Sequence, residues 1–155
     1  MGREAGRLLK NSGVTLHWEL APSAQDFEGS LIVFQLHGDC EVEGNTPELK
    51  NGPLGWSYKV NGRFLPFGDL ACDNIRGAIR SVRGPESQLP AHLLLGRAMG
   101  RVLAHELYHI IADTAKHGRE GVAQRAFSAR ELAAGQLVLQ PADADLVRSG
   151  LERVR

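Results

Sequence analysis

The chain has 155 residues, with 18 Lys+Arg balanced by 18 Asp+Glu, so its formal net charge is zero. That balance argues against a nucleic-acid or membrane-surface binder, which usually carries a basic excess. No apolar run reaches the length of a membrane span. The length suits one domain, 1–155, able to bury a core without a metal or disulfides.

In chain order, Arg3 to Asn11 has the composition of a short helix, with Gly13 just past its end. Val14 to Leu20 (VTLHWEL) alternates and is rich in strand formers, predicting a strand. Leu31 to Leu36 is an apolar run between Gly29 and Gly38 and predicts a second. Residues 38–53 hold three glycines, two prolines and two asparagines and read as a loop. Gly55 to Val60 and Phe64 to Leu70 predict strands joined at Asn61-Gly62, a strong hairpin signal. Asp73 to Val82 predicts a short helix.

Pro90 fits a helix start. From Ala91 onward, Leu94, Leu95, Met99, Val102, Leu103, Leu107, Ile110 and Ile111 recur at helical spacing. Ser128-Ala129-Arg130-Glu131 is a capping box and predicts a helix to about Val138. Pro141 opens a last helix, Ala142 to Arg153. The order predicts an α+β fold, with a small mixed or antiparallel sheet on the long helix and further helices at the C-terminus.

Residues 105–109 read His-Glu-Leu-Tyr-His. Two histidines four apart on a helix project from one face, within reach of one cation. Glu106 falls where a carboxylate can take a proton from water on that cation. The expected cofactor is one catalytic zinc ion, which takes three protein ligands and leaves a position for water. His105 and His109 supply two. On an unbroken helix His117 would lie about 12 Å further along the axis, so it serves as the third only if the helix ends first. The break is expected near Ala112-Asp113-Thr114, where Asp113 tolerates left-handed geometry. Asp113 is the alternative, as a ligand or as an acceptor that fixes an imidazole; Glu120 ranks third. Tyr108 should point away from the metal into the core, and Tyr58 could border the cleft. His17, His37 and His92 read as ordinary residues. Cys40 and Cys72 lie in no CxxC arrangement and are not expected on the metal; in an exported protein they could pair.

The stretch from His105 to His109, with His117-Gly118 beyond it, resembles the zincin metallopeptidases, and the metzincin branch in particular. Leu54-Gly55-Trp56-Ser57-Tyr58 is similar to the edge strand before the active-site helix in that branch. Gly121-Val122-Ala123 and Phe127 to Leu132 resemble the turn and C-terminal helix after the third ligand. The third histidine falls two positions later than in that branch, where Ala115 stands in its place. Ala112 replaces the turn glycine, and Ala123 stands where a methionine is expected.

The resemblance implies a zinc metallopeptidase with Glu106 as general base, acting on a peptide or protein substrate that adds to the edge strand. It also implies a secreted or cell-envelope location. A different class of reading is a catalytically silent zinc-binding domain that holds a partner protein along the same strand. Glu106 favours the enzyme, because a purely structural zinc has no use for that carboxylate. The oligomeric state is not legible.

Overall fold

The computed structural model describes residues 1–19, 29–42, 52–82, 89–133 and 136–154. The elements in chain order are α1 (Gly2–Leu9), β1 (Val33–His37), β2 (Gly55–Val60), β3 (Arg63–Ala71), α2 (Cys72–Ala78), α3 (Ala91–Ala112), α4 (Ala129–Ala133) and α5 (Pro141–Val154). Single 3-10 turns follow α1 (Lys10–Ser12) and α2 (Arg80–Val82). The architecture is α+β, with five helices and one mixed sheet of three strands among the described residues.

The strand order is β1-β3-β2, with β1 parallel and β2 antiparallel to β3. Asn61 (φ 50°) and Gly62 (φ 83°) form the two-residue turn between β2 and β3. Both central residues have the positive φ that matches the twist of a tight hairpin. The β2–β3 register slips between Ser57 and Lys59. Pro66 lies in the part of β3 that makes no ladder pair there, a suitable place for a residue with no N–H.

α3 is the spine. From Leu94 to His109 nearly every residue is buried, because α1, α2, α4, α5 and the sheet all pack on it. Its buried Arg101 is matched by Glu4 of α1 (Nε to Oε1, 3.0 Å) and donates to the Glu131 carbonyl. A charge so far from water must be paired in this way. Gly55 of β2 sits where an added Cβ would lie 2.8 Å from Val102 Cγ1, so the strand approaches the helix closely only because it carries glycine there.

Two expectations are corrected. Residues 14–19 join no strand; Leu20 lies outside the described residues. Val14 and Leu16 still pack on the core, and the Trp18 indole lies against Gly2 of α1. The alternation is satisfied by contact with a helix rather than by a ladder. The helix opened by the capping box is described over Ala129–Ala133 and does not run to Val138. Residues 136–138 are irregular, and the Val138 carbonyl is committed to the Val122 N–H (2.9 Å). The box itself is formed in both directions, Ser128 N–H to Glu131 Oε2 (2.8 Å) and Glu131 N–H to Ser128 Oγ (3.2 Å). Residues 43–51 of the expected loop, and 134–135, lie outside the described set.

Cys40 and Cys72 are disulfide-bonded, tying the segment after β1 to the first residue of α2 across 32 positions. A loop of that size restrains the unfolded chain substantially. Reduction is expected to lower unfolding stability by about 2–4 kcal/mol, read as a fall in the urea midpoint with reductant. An unchanged midpoint would deny the bond any structural role.

Candidate metal centre

α3 delivers His105 and Glu106 from one turn and His109 from the next, and then stops at Asp113. That residue adopts φ 50°, ψ 48°, the left-handed conformation that ends helices. Two contacts close the end: Thr114 N–H donates to the His109 carbonyl (3.2 Å), and Arg153 of α5 donates to the Ala112 carbonyl (3.0 Å). The chain then doubles back and brings His117 to the first two histidines. One ligand atom from each of His105, His109 and His117 lies within 4.8 Å of the others. The ring centroids are 4.6 Å apart for 105–109, 4.9 Å for 109–117 and 5.3 Å for 105–117.

Hydrogen bonds fix two of the rings. His105 Nδ1 faces the Val122 carbonyl at 2.8 Å, and His109 Nδ1 faces the Thr114 carbonyl at 2.6 Å. A carbonyl only accepts, so each Nδ1 carries the proton and each Nε2 presents a lone pair. The two Nε2 atoms are 3.0 Å apart. Two lone pairs at that separation repel unless a cation lies against both. The donor set therefore fits a metal that favours imidazole, zinc among them, and the Nδ1–carbonyl contacts are of the kind that orient metal-binding histidines. Burial pushes the His105 pKa down to about 4 and also lowers His109 and His117. All three are thus neutral, ligand-ready imidazoles at pH 7.

The loop after α3 is built to hold this arrangement. Tyr108, buried as expected, donates its hydroxyl to the Lys116 carbonyl (3.1 Å) beside His117. Gly118 N–H bonds to the Ala123 carbonyl (2.8 Å), closing the turn 118–123. Gly121 lies at φ 78°, and a Cβ there would run into the Val138 carbonyl oxygen. The Val122 peptide thus donates to Val138 on one side and accepts from His105 on the other.

Glu106 is 6 % exposed, and burial pushes its pKa up to about 7. Its Oε2 accepts a hydrogen bond from Ser57 Oγ on β2 at 2.5 Å. Sequence reasoning missed Ser57. The available signal was strand alternation, which puts Ser57 on the same face as Gly55, toward the helix. Trp56 and Tyr58 therefore point the other way. Tyr58, considered for the cleft, accepts from Trp56 Nε1 (3.0 Å) and is exposed.

Asp113, the alternative ligand, turns to the hairpin: Oδ1 accepts from Phe64 N–H (2.8 Å) and Oδ2 pairs with Arg63 Nε (2.5 Å). The Phe64 ring in turn stacks on His109, with centroids 5.8 Å apart. The contacts fixing the two imidazoles come from backbone carbonyls, not from Asp113. Glu120 is exposed and, with His17 and His92, is not part of the histidine cluster. His37 pairs with Asp69 (2.5 Å) and stacks on Trp56.

Comparison of the chain with protein-family models, with curated proteins and with solved structures finds no match.

Proposed function

We propose that the protein is a zinc-dependent peptidase of metzincin-like type, with His105, His109 and His117 holding the ion and Glu106 acting as general base. The observation that carries this reading is the convergence of three neutral imidazoles beside a buried carboxylate whose pKa lies near neutrality. A bound zinc ion would supply a Lewis acid that polarises the scissile carbonyl and acidifies water. Glu106 takes the water proton and returns it to the leaving amine. Among the described residues β2 is an edge strand, so an extended peptide or protein segment can add to it by main-chain hydrogen bonds. The disulfide accords with an oxidising compartment, a secreted or cell-envelope location.

The second reading, a silent zinc module that binds a partner along β2, draws on the same free edge. Turnover separates the two. Purified protein is expected to hold about one zinc per chain by elemental analysis, the stoichiometry set by the one three-histidine group among the described residues, and to cleave unstructured peptides. Absence of zinc removes both readings; zinc without cleavage leaves the second.

A further inference from the structure

The contact between Ser57 and Glu106 joins the edge strand to the acid–base residue, and the fold sets it by register. Gly55 and Ser57, two apart on β2, lie over Val102 and Glu106, four apart on α3. Two strand residues span about 6.8 Å and four helical residues about 6.0 Å. Strand and helix therefore run side by side in step, with equivalent side-chain positions meeting twice. The first meeting has no side chain on the strand, which brings the two backbones together. The second then falls within hydrogen-bond reach. Ser57 pairs across the sheet with Gly68, and the β2–β3 register slips immediately after it. The hydroxyl thus sits at the last regular pair before the irregularity, opposite a glycine whose face is covered by the Phe34 ring.

We infer that Ser57 is a positioning residue: its hydroxyl holds Oε2 of Glu106 and leaves Oε1 as the oxygen that meets the reacting water. This inference rests on the peptidase reading. It adds that one strand serves both to receive substrate and to orient the base. A peptide laid along β2 is then registered directly against the carboxylate, because the strand that receives it is the strand that grips Glu106. The hydroxyl of Ser57 is bonded to Glu106, and its effect passes through that carboxylate.

The test compares Ser57→Ala and Ser57→Thr in the full chain. Ser57→Ala is expected to lower kcat roughly tenfold to a hundredfold, as misplacement of a catalytic group does. KM and zinc content should be unchanged, and Thr, which keeps the hydroxyl, should restore most of the rate. A second measurement needs no turnover. The infrared difference between each protein and its Glu106→Gln counterpart isolates the Glu106 carboxyl band. Loss of the donated hydrogen bond should move that band to higher frequency in Ser57→Ala and leave it in place in Ser57→Thr. An unmoved band in Ser57→Ala, or an unchanged kcat, overturns the inference. If the unaltered protein cleaves no peptide, the peptidase reading fails, and the band alone then decides whether Ser57 holds the carboxylate.

Discussion

Replacing Glu106 with Gln is expected to reduce peptide hydrolysis by about two to four orders of magnitude, the range a general base supplies, while zinc content stays the same. Gln has the size of Glu and can accept from Ser57, so the buried pocket keeps its shape. What it lacks is basicity. Retained turnover would show that another group takes the proton.

The same substitution has a second expected consequence, in the metal-free protein. Glu106 has a folded pKa of about 7 against an ordinary 4.5. It therefore favours the folded state below pH 4.5, and that contribution is lost as pH rises toward 7. His105 works in the opposite sense. Its folded pKa of about 4 lies below the ordinary 6.5, so its contribution is present above pH 6.5 and is lost as pH falls toward 4. Each amounts to about 3 kcal/mol, and across this window they offset one another. In Glu106→Gln only the histidine contribution remains. With chelator present, the urea midpoint of the variant should fall more steeply between pH 6.5 and 4 than that of the unaltered protein, in which Glu106 offsets part of the loss from His105, His109 and His117. Parallel curves would refute the opposition.

The second large effect concerns the third ligand. His117→Ala should weaken zinc binding by more than about 100-fold, the upper range seen when only an outer partner of a ligand is lost. Its backbone is held by Tyr108 and by the Gly118–Ala123 hydrogen bond, so the loop should keep its path. Asp113→Ala should leave affinity within about tenfold. It removes instead the acceptor of Phe64 N–H and the partner of Arg63, at a cost of about 1–3 kcal/mol in stability. Competition with a chromophoric chelator reads the first quantity and urea unfolding the second. The reverse outcome, with zinc lost in Asp113→Ala and kept in His117→Ala, would exchange the two residues' roles.

Much of this was legible because its causes are local. Asn61-Gly62 specifies a turn by the φ values those two residues accept. Apolar spacing from Leu94 to Ile111 specifies the long helix, and the reach argument for His117 demands a break where Asp113 goes left-handed. The α+β class follows from the order of such elements. Val14 to Leu20 misled because alternation records only that two faces differ, and a face packed on α1 produces the same pattern as a paired strand. Beyond the helix that follows Ser128, the irregular residues 136–138 are tied to the loop after α3, Val138 accepting from Val122 16 positions back, a contact that local spacing does not show. Ser57 and the carbonyls of Val122 and Thr114 escaped notice for a related reason. The partners of Ser57 and Val122 lie 49 and 17 positions away and are fixed by how strand and loop fold back on α3; Thr114 is only five residues from His109, but its contact depends on the left-handed turn at Asp113.

Gly121 touches no histidine, yet the grip on the cation passes through it. Any side chain there would wedge the turn away from Val138, and the displaced Val122 oxygen would release the proton-bearing nitrogen of His105. The ring would then be free to swivel its lone pair out of the cluster. A residue with no side chain thus governs how tightly the first ligand is aimed.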